Sequence, residues 1–221
     1  MPCRLIAPDI PGFGGSPLPE RMPDAYSVEA LATLISAFIE VLELERPVVG
    51  GVAIGGSIAL EIARHDPDAV AGLVLVANRP ASDAPEKASQ RESAATRVLA
   101  SGSAAVAPIL ADAALGPHAS ASVRKRVRAM IADADPHGVA ALVRAIARRP
   151  NPTPFLASLT SPSLVIAGSD DPMGSPVDVE RLAAMLPDAR FVVVPGAGHM
   201  VPIERPGAVT RALTGFLRAR E

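Results

Sequence analysis

The sequence is poor in several residue types, and each shortage excludes a class of function. Its 221 residues include one cysteine, no tryptophan, one tyrosine and five phenylalanines. The single cysteine, Cys3, excludes a disulfide framework within the chain and a cysteine-based zinc site. So few aromatic rings argue against a platform that stacks nucleic-acid bases. Lysine and arginine number 21 against 23 acidic residues, so no excess of positive charge indicates nucleic-acid binding.

Membrane, metal and dinucleotide signals are also absent from the sequence. No apolar run approaches the roughly 20 residues that span a bilayer, and the start of the chain lacks the pattern of a signal peptide. We therefore expect a cytoplasmic protein with no membrane partner. The four histidines lack metal-binding i, i+4 spacing, and no glycine-rich dinucleotide fingerprint occurs. We expect neither a metal nor a cofactor.

Short strands that alternate with helices dominate what is present. Runs rich in valine, isoleucine and leucine predict buried strands, and longer runs with apolar spacings of three and four predict helices. The strands are predicted at residues 4–7, 47–53, 72–77, 163–167 and 190–194, and the helices at 28–44, 56–65, 177–186 and 206–220. Ser27 is the predicted N-cap of the first helix. This alternation predicts an α/β fold, a mostly parallel sheet flanked by helices.

Residues 80–154 interrupt the alternation. They are rich in alanine, serine and arginine, show no convincing strand, and predict several short helices. We interpret them as a helical insertion into a core formed by residues 1–79 and 155–221. Two placements remain open: over the carboxyl ends of the sheet, where ligands bind in parallel α/β proteins, or in a surface layer without a ligand role.

The strongest local motif is a glycine-flanked turn between a strand and a helix. Residues 51–55 read GVAIG, which is the spacing of the nucleophile elbow G-x-S-x-G. Ala53 stands in the nucleophile position, where its methyl group cannot attack a carbonyl carbon. An ordinary glycine-rich turn would show the same pattern. Ser57 lies four positions further on, and we expect it to face away from the tip of the turn.

Two further polar groups follow predicted strands. Asp170 and Asp171 come after the strand at residues 163–167, and His199 comes after the strand at 190–194. A carboxylate can orient a catalytic imidazole by accepting its second ring N–H. Taken singly, these segments are also typical of a plain turn and of a structural histidine. Together with the elbow, they follow the chain order of the α/β-hydrolase triad.

The chain resembles the α/β-hydrolase-fold superfamily, in its group of esterases, lactonases and C–C hydrolases. The matching stretches are residues 4–16, which include DIPGFGGS, and residues 48–63, 72–80, 163–176 and 190–206, which include GAGHMVPIERP. The resemblance implies that Ala53 replaces the nucleophile serine, that His199 is the general base and that Asp171 orients it. It implies that the backbone N–H of Ile54 belongs to an oxyanion hole and that residues 80–154 form a helical cap. Asp171 is preferred to Asp170 because the family acid usually follows the strand-terminal glycine, here Gly168, by three positions.

The sequence departs from the family at its beginning as well as at Ala53. The first stretch resembles the family's fourth strand, so the third strand and the His-Gly loop of the oxyanion hole are missing. The fold expected from the resemblance is therefore an N-terminally shortened α/β-hydrolase fold. Three explanations remain open: the sheet closes up, a partner such as a second copy supplies the strand, or the chain is a fragment.

The function expected from the resemblance is that of a serine hydrolase of small esters or lactones. Because Ala53 holds the nucleophile position, we do not expect efficient hydrolysis. Two alternatives remain: a non-catalytic protein that binds a small ligand, and chemistry that uses only the His199–Asp171 pair. Ala53 itself fits an engineered replacement, a natural loss or such dyad chemistry. In each case the expected partner is a small molecule.

Overall fold

The computed structural model describes residues 3–219, and its centre is a parallel sheet of four strands. The strands are β1 (Val48–Val52), β2 (Gly72–Val76), β3 (Ser163–Gly168) and β4 (Ala189–Val194). They pair in the order β1–β2–β3–β4, and every pair is parallel. Four of the five predicted strands and the parallel α/β architecture are therefore confirmed.

Helices occupy the segments before, between and after these strands. Their bounds are α1 (Met22–Ala25), α2 (Val28–Val41), α3 (Ile54–His65), α4 (Pro85–Ser101), α5 (Ser103–Ala114), α6 (Ala121–Ala132), α7 (Pro136–Arg148), α8 (Thr153–Leu156), α9 (Pro176–Met185), α10 (Val201–Glu204) and α11 (Pro206–Arg218). Ser27 caps α2 as predicted, because its side chain accepts a hydrogen bond from the backbone of Ala30 over 3.1 Å. Residues 1–2 and 220–221 lie outside the described part of the chain, as do the ends of the predicted core and of the predicted last helix. None of the described helices has both the length and the apolarity to cross a membrane.

The core lies on both faces of the sheet. Successive side chains of a strand point to opposite faces, and β3 is buried throughout. Leu164 and Ile166 pack towards α11, whereas Val165 and Ala167 pack with residues of α2, α3 and α9. Burial on both faces explains why this strand reads as an uninterrupted apolar run rather than as an alternating one.

The predicted strand at residues 4–7 is wrong. This segment has no strand or helix, and Leu5 is 89% exposed. A strand needs a neighbour that satisfies its backbone N–H and C=O groups. Within residues 3–219 no strand pairs with the outer edge of β1, so the sheet has not closed up against residues 4–7. An apolar groove of about 510 Å³ lies between this segment, β1, α2 and α3 instead.

Residues 80–154 contain α4 to α7 and the start of α8, and no strand is present among them. They contact the loop at residues 9–16 closely, because a Cβ atom on Gly12 would lie 2.6 Å from the Cα atom of Gly138 in α7. Gly12 also has a φ of 87°, which favours glycine. The glycine-rich loop therefore shapes the contact between the two parts of the chain.

Candidate active site

Ala53 occupies the turn between β1 and α3 in a conformation that side chains rarely adopt. Its φ is 49° and its ψ is −111°, which is strained for a residue with a Cβ atom. Two hydrogen bonds join the turn to β2 and to the residues that follow it. The N–H of Ala53 donates to the carbonyl of Val76 over 2.8 Å, and the side-chain amide of Asn78 donates to the carbonyl of Ala53 over 2.7 Å. The strained turn therefore exists although no nucleophile stands on it.

The two glycines that flank Ala53 have different surroundings. A Cβ atom on Gly51 would lie 2.5 Å from the backbone carbon of Gly55, so only glycine allows β1 and α3 to approach this closely. A Cβ atom on Gly55 would meet nothing within 4 Å, and Gly55 lines the apolar groove beside β1. Close packing therefore requires the first glycine of the motif, whereas the second faces open space.

His199 and Asp171 lie in contact at the ends of β4 and β3. The distance from His199 Nδ1 to Asp171 Oδ2 is 2.8 Å, and their side chains are 12% and 1% exposed. Asp171 Oδ1 accepts hydrogen bonds from the backbone N–H groups of Met173 and Gly174 over 2.7 and 3.2 Å. These bonds fix the carboxylate, and the carboxylate in turn fixes the imidazole. Asp170 does not contact the imidazole in this way, since its Oδ1 accepts from the hydroxyl of Ser169.

Ala53, Ile54 and His199 line one small cavity of about 60 Å³ at the carboxyl ends of the strands. Ile54 is the first residue of α3, so its N–H has no acceptor within the helix and is available at this end. The expectation that Ser57 faces away is wrong, because Ser57 lines the same cavity. It belongs to the first turn of α3, and one helical turn from the tip is close enough to reach this space.

Asn78 is a residue of this site that sequence reasoning missed. It is 3% exposed, lines the cavity, and donates through Nδ2 to the carbonyl of Ala53 and to the hydroxyl of Ser57 over 2.7 and 3.1 Å. Its Oδ1 has no hydrogen-bond partner among the described residues. The available signal was its place directly after β2, since the carboxyl ends of parallel strands share one edge of the sheet.

The buried carboxylate of Glu204 joins the helical segment (residues 80–154) to the histidine loop, which is the loop after β4 that carries His199. Oε2 of Glu204 accepts hydrogen bonds from the backbone N–H groups of Gly116 and Gly198, and both distances are 3.0 Å. The backbone N–H of His199 donates to the carbonyl of Ala114 over 2.9 Å. Residues 80–154 therefore contact the loop that carries the imidazole, and no motif in the sequence indicates this role for Glu204.

Three arginines complete the wall of the cavity: Arg79 after β2, Arg91 in α4 and Arg149 after α7. All three pair with the carboxylate of Asp83, which is 0% exposed. The sequence separates these residues by up to 70 positions (79 to 149), so no local motif identifies them. In the part of the chain that the structure describes, no group of three histidine, cysteine, aspartate or glutamate residues is arranged to hold a metal ion.

Known proteins share this architecture. The thermophilic esterase from Thermogutta terrifontis, solved with malate bound, superposes with a TM-score of 0.87 at 34% identity, over 95% of this chain and 77% of that chain. The enol-lactonase from Burkholderia xenovorans LB400 superposes with a TM-score of 0.82 at 25% identity, over 94% of this chain and 78% of that chain.

Comparison of sequences also finds similarity to hydrolases. The putative carbamate hydrolase RutD from Pseudomonas savastanoi pv. phaseolicola is 29% identical over 224 residues, which cover 98% of this chain and 84% of that protein. A model of the alpha/beta hydrolase family matches residues 2–212. With nearly the whole chain matched and the parallel sheet in place, the protein belongs to the alpha/beta hydrolase family.

Proposed function

We propose that the protein is a serine-hydrolase scaffold for small esters or lactones in which Ala53 replaces the nucleophile. The observation that carries the proposal is the 2.8 Å contact of His199 with Asp171, because His199 lines the same cavity as the strained turn at Ala53. Strain at a turn is maintained where it serves a function. An imidazole oriented by a buried carboxylate serves proton transfer.

The chemistry follows from these positions once a hydroxyl replaces the methyl group at residue 53. The serine oxygen would attack the acyl carbon while His199 Nε2 takes the hydroxyl proton, and Asp171 would hold Nδ1–H. The N–H of Ile54 would stabilise the negative oxygen of the tetrahedral intermediate. His199 would then pass the proton to the leaving alkoxide, and a water molecule, deprotonated in the same way, would release the acid.

The names of the relatives agree with an acyl substrate. They describe an esterase, an enol-lactonase and a putative carbamate hydrolase, and esters, lactones and carbamates all contain a carbonyl carbon bonded to an oxygen or nitrogen atom that can leave. The unmodified chain would bind such a compound without forming an acyl-enzyme. Loss of the nucleophile from such a triad lowers kcat by on the order of 10⁶-fold.

A second candidate function is general-base chemistry by the His199–Asp171 pair alone. It is favoured by the engagement of Nδ1 with Asp171, which leaves Nε2 as the nitrogen that can act on a water molecule or a substrate. Under this alternative, the unmodified chain turns over a substrate, and His199→Ala abolishes the turnover.

The test is the substitution Ala53→Ser, assayed on a panel of p-nitrophenyl esters of short acids and small lactones. We expect a gain in kcat/KM on the order of 10³-fold or more over the unmodified chain. Adding His199→Ala should remove the gain. Adding Ser57→Ala should retain it, because Ser57 lies in the same cavity but has no role in the proposed attack. If Ala53→Ser folds and hydrolyses no member of the panel, the proposal fails.

A further inference from the structure

Positive charge dominates the wall of the cavity beside Ala53. Three of its lining residues are arginines and none is acidic. The side chains of Arg79, Arg91 and Arg149 are only 21%, 15% and 9% exposed, so water screens their charges incompletely. A small concave site with these walls attracts an anion.

The acidic groups nearby do not neutralise this charge. Asp171 is engaged by His199, and Asp83 is a single carboxylate that faces all three arginines. The pKa of the nearby Lys87 ammonium group reflects the same excess of positive charge: burial lowers it, and the charges of the three arginines lower it further against the opposing effect of Asp83. Burial also lowers the pKa of Arg149, an effect that Asp83 opposes and the neighbouring arginines strengthen. One carboxylate therefore faces three guanidinium groups.

The arginines also hold more N–H groups than their partners use. Each guanidinium carries five, so the three carry about fifteen. Arg79 and Arg149 donate to Asp83 Oδ1 over 3.1 and 3.3 Å, Arg91 donates to Asp83 Oδ2, and Arg149 donates to the carbonyl of Ala81 over 2.6 Å. Asp83 accordingly orients the three forks while leaving donors for a second acceptor. Partly buried cations with unused donors favour a charged acceptor more than exposed ones do.

We propose that this cavity selects small esters or lactones that carry a carboxylate, bound by Arg79, Arg91 and Arg149 beside the reacting carbonyl. The inference rests on the proposed function for the bond that is broken, and it adds the class of substrate. Since Ala53 and His199 line the same cavity as the arginines, the carboxylate lies within a few bonds of the acyl carbon. A planar carboxylate matches the fork of a guanidinium, which can bind it through two parallel hydrogen bonds.

The first experiment measures binding to the unmodified chain by titration calorimetry, so it needs no acyl-enzyme. The probes are monomethyl succinate and dimethyl succinate, which share a skeleton and differ in one negative charge. We expect the half-ester to bind about 10- to 100-fold more tightly, as charged hydrogen bonds give, and to weaken as salt is added. Equal affinities would overturn the proposal without any mutation.

Variants then assign the effect to the arginines. Arg79→Gln and Arg91→Gln should each lower the affinity for the half-ester about tenfold and leave that for the diester unchanged. Arg79→Lys should retain part of the affinity, because it keeps the charge and loses the fork. The matched control is Arg128→Gln, which removes an arginine that is 45% exposed and pairs with Asp112 on the surface. The affinity of this variant for the half-ester should equal that of the unmodified chain. A folded Arg79→Gln variant with unchanged affinity would contradict the proposal.

Two comparisons separate this inference from the proposed function. If the half-ester binds as expected but Ala53→Ser hydrolyses nothing, the anion site stands and the hydrolase proposal fails. If Ala53→Ser hydrolyses monomethyl and dimethyl succinate with equal kcat/KM, the hydrolase proposal stands and this inference fails. Inorganic phosphate that displaces the half-ester more effectively than acetate does would overturn the choice of a carboxylate.

Discussion

Two cavities of the molecule, the groove beside β1 and the cavity beside Ala53, differ in size and in chemistry. The groove beside β1 has a volume of about 510 Å³ and is lined mainly by apolar residues of the segment at residues 4–8, α2 and α3. The cavity at the carboxyl ends of the strands measures about 60 Å³ and is lined by Ala53, His199 and three arginines. The larger cavity holds no triad position, whereas the smaller one holds the polar groups that converge.

Under the proposed function, the larger volume does not mark the functional site of this chain. The groove lies along the open edge of β1, where backbone groups have no strand to pair with among the described residues. The small cavity contains a strained turn, an oriented imidazole and buried charges. Convergent polar groups are the better criterion for a site, and the predictions below test this assignment.

The largest effect is expected from Asp171→Asn in the Ala53→Ser background. The amide would keep the shape of the side chain but would no longer orient the imidazole as an acceptor of its Nδ1–H, so kcat should fall about 10⁴-fold. Ester hydrolysis under saturating substrate measures it. Asp170→Asn is the matched control, since Asp170 bonds to Ser169 instead, and its kcat should stay within a few fold of the parent. Equal losses in both variants would remove Asp171 from its proposed role.

The next effect concerns stability and comes from Asp83→Asn. This change leaves the three arginines without their buried counter-charge, which should lower the free energy of unfolding by about 3–5 kcal/mol. Denaturant unfolding at neutral pH measures the loss. Asp112→Asn is the control, because Asp112 is 52% exposed and pairs with Arg128 on the surface, so it should lose less than about 1 kcal/mol.

The difference in unfolding free energy between the unmodified chain and Asp83→Asn should depend on pH in a defined way. Burial raises the pKa of Asp83, but the hydrogen bond from Arg91 and the charges of the three arginines together lower it below its usual value of 3.8. A lowered folded-state pKa stabilises the fold above about pH 4, and this stabilisation is lost as the pH falls through the folded-state value. The stability gap between the unmodified chain and Asp83→Asn should therefore be constant above pH 5 and narrow only below about pH 4. A gap that changes near neutral pH would contradict this account.

The smallest effect compares the two glycines beside Ala53. Gly51→Ala should lower the free energy of unfolding by about 1–3 kcal/mol, because its Cβ atom would overlap the backbone of Gly55. Gly55→Ala should be neutral or raise it by up to about 1 kcal/mol, since the new methyl group enters the open groove and alanine favours the helix. Denaturant unfolding of both variants measures the difference. A loss of stability with Gly55→Ala that matches the loss with Gly51→Ala would mean that the groove is filled in solution.

The sequence predicted those parts of the fold whose determinants are local. Four strands and the long helices follow from apolar runs, caps and periodicity, as the capped start of α2 illustrates. The strand at residues 4–7 was mispredicted because its apolar run is local, whereas a strand also needs a neighbour that the sequence pattern does not reveal. Pairing, unlike hydrophobicity, is a property of two segments.

The residues of the candidate site likewise fall into those that the sequence indicated and those that only the structure reveals. Ala53, Asp171 and His199 follow strand ends in a recognisable order, so motif and topology together indicated them. Asp83, Asn78 and the three arginines lack a motif, because side chains from distant segments create their shared environment. The orientation of Ser57 was mispredicted, since it depends on the angle at which α3 leaves the strained turn.

The buried side chain of Glu204 joins two segments that are distant in the sequence. A single oxygen bridges two amides, those of Gly116 in the helical segment and Gly198 in the histidine loop, and the neighbouring His199 N–H bonds back to Ala114. Hinged opening of that segment would break these bonds and release the imidazole from its position. The position of the His199 backbone is therefore coupled to the packing of the segment around Gly116.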